Sequence, residues 1–212
     1  MRTRKPILGV TGPSGAGKSL FCSLFAEKGW LVLDCDEIYH RLISSGSSLT
    51  RKLASPEAFG PSVLGADGSV DRRALAEIVF APGAREKRKL LNRISHRYVK
   101  LEICRIMREA DESEIPGYVI DAPLLFEANM KKDCALTVAL LAPRETRLRR
   151  LTERDRLPED KLNMRLDSSP DDGFYVKRAD VVIVNDGDPE KLKSGAETVE
   201  ALLLTPGGRN DD

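Results

Sequence analysis

GVTGPSGAGKSLF, residues 9–21, places four glycines, a proline and a single lysine straight after the start of an apolar run, Ile7–Val10. Glycine gives a backbone its widest conformational range, at an entropic cost on folding. A run that concentrates so much of that freedom either makes a turn or wraps its backbone closely round something. Gly12, Gly17, Lys18 and Ser19 fit the spacing GxxxxGK[ST]. They stand between a stretch that reads as a buried strand and an expected helix, Lys18–Lys28, with Phe21, Leu24 and Phe25 at helical spacing and Gly29 as its stop. In that context backbone N–H groups point inward at an anion, and the helix start adds positive partial charge. Lys18 is long enough to reach outer phosphate oxygens, and the Ser19 hydroxyl suits Mg²⁺. Gly12, Pro13, Ser14, Gly15, Ala16, Gly17, Lys18, Ser19 and Leu20 are therefore the candidate nucleotide site.

Working outward, four more apolar runs read as strands: WLVLD (30–34), YVIDA (118–122), ALTVALLA (135–142) and DVVIVN (180–185). A helical pattern over Pro143–Glu153 lies between two of them. Strands alternating with helices argue for an α/β fold, a five-stranded parallel sheet covered on both faces. The middle differs. From Tyr39 to Glu114 no strand is expected. DRRALAEIVF (71–80) reads as a helix capped by Asp71, and Arg97–Ala110 carries Val99, Ile103, Ile106, Met107 and Ala110 on one stripe. PEDKLNMRL (158–166) suggests a second, smaller helical excursion. The expected organisation is one domain, with its core in 6–38, 117–153 and 170–204, a helical acceptor lobe at 39–114 and a lid at 154–169. TPGGRNDD (205–212) reads as a frayed tail.

The 212 residues are 41% hydrophobic and 32% charged, but the charges nearly cancel, to +1. Such balance excludes a general polyanion binder, so no nucleic-acid partner is expected. The four cysteines, Cys22, Cys35, Cys104 and Cys134, show no CxxC pair or metal-ligand rhythm and read as reduced thiols. The apolar run behind MRTRKP is too short for a signal peptide, and CALTVALLA (134–142) is far short of the ~20 residues of a membrane span. A cytoplasmic protein acting on small molecules is expected, as a monomer or weak homo-oligomer.

LDCDEI (33–38) puts Asp34 and Asp36 at the carboxyl end of the second strand, the edge where parallel sheets bind ligands. One carboxylate there can accept a proton from an attacking hydroxyl; the other can cap a helix starting near Glu37. Asp121, in VIDAP, reads either as a neighbour of the Mg²⁺ or as a helix cap. Arginines are dense from Arg144 to Arg165; Arg154 and Arg165, flanking the second excursion, either complement phosphoryl charge or belong to a solvated helix surface.

Several motifs in order resemble the dephospho-CoA kinase family: TGPSGAGKS, VLDCDEI, DGSVDRRALAEIVF (67–80), VIDAPLLFE (119–127), RLTERDRLPEDKLNMRL (150–166) and ADVVIVNDG (179–187). The resemblance implies a P-loop kinase three-layer fold and transfer of the ATP γ-phosphate to the ribose 3′-hydroxyl of dephospho-CoA, with Mg²⁺. It implies Asp36 as the base, Lys18, Arg154 and Arg165 around the transferred group, and Leu124, Leu125, Phe126 and Glu127 lining the acceptor side. His96 matches a histidine of the family's lobe; a core or capping histidine is the alternative. Pro13, Ser14, Arg97, Ser169 and Val184 depart from the family pattern. Another P-loop nucleoside or nucleotide kinase and a switch ATPase are the competing readings.

Overall fold

β1 (Ile7–Thr11) is buried along its whole length, as a strand covered by helices on both sides must be. The structure, a computed structural model, describes residue 3 and residues 5–205. After β1 come α1 (Lys18–Ala26), β2 (Leu31–Asp34), α2 (Cys35–Leu42), α3 (Ser48–Leu53), α4 (Arg72–Phe80) and α5 (Arg85–Glu109). Then follow β3 (Tyr118–Asp121), β4 (Leu136–Leu141), α6 (Arg144–Asp155), α7 (Glu159–Asp167), α8 (Asp172–Val176), β5 (Val181–Val184) and α9 (Pro189–Leu204). The five strands form one parallel sheet in the order β2-β3-β1-β4-β5, with β1 in the middle. All five expected strands are present. Most of the expected tail lies outside the described residues.

The chain divides into two compact units, one built from residues up to Leu33 and from Asp111 on, the other from Asp34–Ala110. In the first, α1 turns Phe21, Cys22 and Phe25 onto Leu8 and Val10 of β1, and α9 adds Leu192, Ala196 and Val199. Phe25 meets Trp30 edge-on, with ring centroids 5.3 Å apart. Fully burying side chains of this size contributes about 1.5–3 kcal/mol each, so this aliphatic and aromatic layer fixes where α1 begins. A smaller centre of Leu148, Leu151, Leu162 and Leu166 holds α6 and α7 together.

The second unit is helical and has its own core, including Ile43, Leu49, Leu53, Val63, Leu75 and Val79. Asp71 caps α4 by accepting from the backbone of Arg73 and Ala74 at 2.9 and 3.1 Å. Its only bridge of strand type among the described residues joins Leu64 to Val70. α5 begins at Arg85, twelve residues before the expected helix, and buries Ile94, Val99, Ile103 and Met107 along one side.

Candidate active site

The loop after β1 takes its shape from two glycines. Gly12 has φ +136°, and a Cβ there would lie 2.1 Å from the Leu140 carbonyl oxygen. Gly17 has φ +97°, and a Cβ there would lie 2.2 Å from the Asn185 amide nitrogen. Both positions demand left-handed backbone and leave no room for a side chain. Between them the Ala16 N–H donates to the Pro13 carbonyl at 3.2 Å. Gly17 opens α1 without any side-chain cap, so the first N–H groups of the helix are left for an anion. Lys18 folds back over the loop, its Nζ donating to the Gly12 and Pro13 carbonyls at 3.0 and 3.4 Å. Ser19 and Leu20 follow on the exposed first turn.

Two residues that the sequence did not single out fix this loop from behind. Asn185, at the end of β5 and only 5% exposed, donates through Nδ2 to the Ala16 carbonyl at 2.9 Å. Arg150 of α6 donates through Nη1 to the Gly15 carbonyl at 3.2 Å and through Nη2 to Asn185 Oδ1 at 3.0 Å. Two successive loop carbonyls are thus held by side chains. Fixing carbonyls in this way leaves the loop's N–H groups as the donors to an incoming anion.

Asp121 closes β3, is 6% exposed and pairs in register with Val10, one residue before the end of β1. No helix starts after it, since residues 122–130 run through turns, so the helix-cap reading of Asp121 falls away. Among the described residues no cluster of three metal-ligating side chains exists. The Ser19 hydroxyl and the Asp121 carboxylate are oxygen donors of the kind Mg²⁺ accepts, one or two from protein with water and phosphate completing its octahedron. In the PLLFE turn the expectation is corrected at Leu125, which is 0% exposed and belongs to the core. Leu124 faces outward, Phe126 packs edge-on against Phe174 at 6.0 Å, and Glu127 lies at the surface. Surrounding protein raises the Glu127 carboxyl above its ordinary pKa, opposed by its own backbone and by Arg178.

In the lid both arginines hold one carboxylate. Arg154 donates through Nε to Asp155 Oδ1 at 2.6 Å and through Nη2 to Oδ2 at 3.1 Å; Arg165 Nη1 reaches Oδ2 at 2.9 Å. The bond from Arg154 holds the Asp155 carboxyl below its ordinary pKa. Arg144 ties the two lid helices again, bonding Asp167 at 2.7 Å and Asn163 at 3.0 Å.

The helical unit separates the two aspartates. Asp34 Oδ1 accepts from the backbone N–H of Asp36 at 2.8 Å and of Glu37 at 3.0 Å, so Asp34 is the cap and α2 starts at Cys35, earlier than expected. Asp36 stands exposed on the first turn, and its carboxylate makes no hydrogen bond among the described residues. His96 lies inside α5, which excludes a capping role; burial lowers its pKa and keeps the imidazole neutral near pH 7.

The model of the dephospho-CoA kinase family matches residues 6–191. A dephospho-CoA kinase of Corynebacterium glutamicum is 35% identical over 196 residues, covering 92% of this chain and 98% of its own. A crystal structure from Thermus thermophilus superposes with a TM-score of 0.77 at 31% identity, covering 96% of this chain and 100% of that one. Dephospho-CoA kinase from Campylobacter jejuni shares the fold, with a TM-score of 0.55 at 24% identity, covering 95% and 98% of the two chains.

Proposed function

The chain belongs to the dephospho-CoA kinase family, and on that premise we propose that it moves the γ-phosphoryl group of ATP to the ribose 3′-hydroxyl of dephospho-CoA, giving coenzyme A and ADP. The observation that carries this reading is the division of labour between the two aspartates. A kinase needs a carboxylate free to take the proton of the attacking hydroxyl. Asp34 is consumed by the helix cap, while the exposed Asp36 carboxylate makes no hydrogen bond among the described residues.

The roles of the other residues follow from phosphoryl-transfer chemistry. Negative charge spreads over the outer oxygens as the group passes across, so donors set in advance lower the barrier. The loop N–H groups hold the phosphates, and Lys18 moves from the loop carbonyls onto the outer phosphate oxygens. Arg154 and Arg165 exchange the Asp155 carboxylate for phosphate. Asp36 accepts the hydroxyl proton. Ser19 and Asp121 would hold Mg²⁺, which would supply neutralisation of phosphate charge when bound. Leu124 and Glu127 face the acceptor, and the lid excludes water so that phosphate does not pass to it. The same reading makes it a cytoplasmic enzyme, a monomer or weak homo-oligomer; no described helix is long and apolar enough to cross a membrane.

A coupled ADP-release assay with ATP and Mg²⁺ tests the reading, with dephospho-CoA run beside adenosine, AMP and pantothenate. Turnover specific to dephospho-CoA is expected. Preference for AMP or adenosine would make it a nucleotide or nucleoside kinase, and acceptor-independent hydrolysis would make it an ATPase.

A further inference from the structure

The helical unit contains a small pocket, part apolar and part polar, that no role above uses. It encloses about 280 Å³ and is lined by His40, Ile43, Ser44, Ser69, Val70 and Arg72. That is below the ~300–1,000 Å³ of pockets that take a whole drug-sized ligand, so it suits one functional group. Its cationic wall is Arg72, the first residue of α4, whose guanidinium forms no ion pair among the described residues. His40, on α2, likewise has no hydrogen-bond partner among them. The neighbouring carboxylates are already engaged. Asp71 is taken up by the backbone of α4, Asp67 by the backbone and hydroxyl of Ser69, and Glu37 by Arg41. An uncommitted guanidinium beside an imidazole, with Ser44 and Ser69 hydroxyls on the rim, is an anion-binding set, because an arginine fork matches phosphate oxygens two at a time.

The helix that carries Asp36 also carries a wall of the pocket. His40 follows Asp36 by four residues on α2, so the two share one face of the helix, about 6 Å apart along its axis at about 1.5 Å per residue. A nucleotide carries its 3′-hydroxyl and its 5′-phosphate at the two ends of one ribose. An acceptor whose hydroxyl meets Asp36 therefore presents its 5′-phosphates about one helical turn away.

We propose that this pocket receives the 5′-diphosphate of dephospho-CoA, with Arg72 and His40 as its donors. The proposal rests on the dephospho-CoA kinase reading and adds to it the group that discriminates dephospho-CoA from a bare nucleoside. Ile43 and Val70 give the pocket an apolar floor, and the hydroxyls of Ser44 and Ser69 turn from their present partners, the Arg41 carbonyl and Asp67, to the phosphate oxygens.

Steady-state kinetics and calorimetric binding of dephospho-CoA, on Arg72→Ala, Arg72→Lys and His40→Gln, test it. Both residues are exposed, so the fold is expected to survive, and melting curves check this. Arg72→Ala should raise the KM and the Kd for dephospho-CoA by roughly tenfold or more, the loss expected for a charge-assisted phosphate contact, with the KM for ATP unchanged within about twofold. Arg72→Lys, which keeps the charge but not the fork, should fall between Ala and wild type, and His40→Gln, which keeps a donor, should stay close to wild type. Wild-type turnover of dephospho-CoA with an unchanged KM in Arg72→Ala overturns the pocket alone. Failure of the wild-type protein itself to phosphorylate dephospho-CoA overturns the underlying reading, and the pocket with it.

Discussion

Arg165 and Asp155, ten residues apart, meet across the two lid helices, with Arg165 Nη1 2.9 Å from Asp155 Oδ2. Arg154 grips the same carboxylate through two nitrogens. The two cations assigned to the transferred phosphate are thus parked on a shared anion. Phosphate must compete with Asp155 for both guanidinium groups. Asp155→Asn removes the competing charge and should tighten ATP binding by about two- to fivefold, measured by calorimetry, while Arg154→Ala or Arg165→Ala should lower kcat by about 10²-fold or more. Weaker ATP binding in Asp155→Asn would instead make Asp155 the group that aims the arginines.

The same bond sets a pH dependence. Arg154 lowers the folded-state pKa of Asp155 below that of the unfolded chain. The resulting stabilisation is complete above the ordinary carboxyl value of about 3.9 and disappears as pH falls through the lower folded value. Protection of α6 and α7 against hydrogen exchange, taken relative to the intrinsic rate at each pH, should therefore be insensitive to this bond from pH 8 to about 5 and fall only in stronger acid. Asp155→Asn should abolish that acid-dependent change, and a change that persisted would trace it to another carboxylate.

Asn185 and Arg150 hold two successive carbonyls of the phosphate loop, which makes them positioning residues. Asn185→Ala and Arg150→Ala should raise the KM for ATP by roughly tenfold, with little effect on the KM for the acceptor. Asn185→Ala also empties the space that a Gly17 Cβ would need. Gly17→Ala in that background should recover part of the loss seen in Gly17→Ala alone, although the positive φ of Gly17 still penalises it. No recovery at all would mean that backbone strain, and not the clash, governs Gly17.

Lys18→Ala should reduce kcat/KM by about 10³-fold, because the ammonium group stabilises charge that grows on the phosphates during transfer. The fold should persist, since the Lys18 side chain belongs to no hydrophobic core. Near-wild-type turnover would remove Lys18, and the phosphate loop with it, from the reaction.

Asp36→Asn keeps shape and removes the basic oxygen, so kcat should fall by about 10²-fold while ATP binding stays constant. Asp34→Ala should do the reverse, costing about 1 kcal/mol of stability for a lost helix cap and sparing more of the chemistry. Denaturant melts and kcat measured on both variants separate the roles, and an exchanged pattern would identify Asp34 as the base.

How much of this was visible in the chain follows from the reach of each interaction. The strand–loop–helix from Ile7 to Ala26 declares itself locally: apolar run, glycine spacing and helical period lie within a few turns of one another. Asp71 likewise announces α4, because a cap acts over three residues. The start of α5 did not, for Ala84 offers no side-chain cap and the first turns are mostly charged. Asn185 and Ala16 stand 169 positions apart, and no local pattern encodes such a bond. Arg150 was hidden among neighbouring arginines of equal chemistry, and only the loop carbonyl it meets distinguishes it. At Leu125 a consecutive motif reads as facing one way, whereas the turn sends Leu125 into the core, packs Phe126 against Phe174 and leaves Leu124 and Glu127 exposed.

The helical unit leaves the sheet after Leu33 and the chain returns at Asp111, yet β2 and β3 are adjacent strands, joined where the Leu31 N–H meets the Gly117 carbonyl at 3.0 Å. Pairing β2 with β3 therefore closes a loop that contains the whole helical unit. During folding the edge strand can dock only after that loop closes, and the entropy of closure grows with the length of chain still free, by about 0.6 kcal/mol per doubling. A unit with its own aliphatic core can collapse first and shorten the free chain before the sheet is complete. On this topology the helical insert is expected to condense first and β2 to seal the edge of the sheet afterwards.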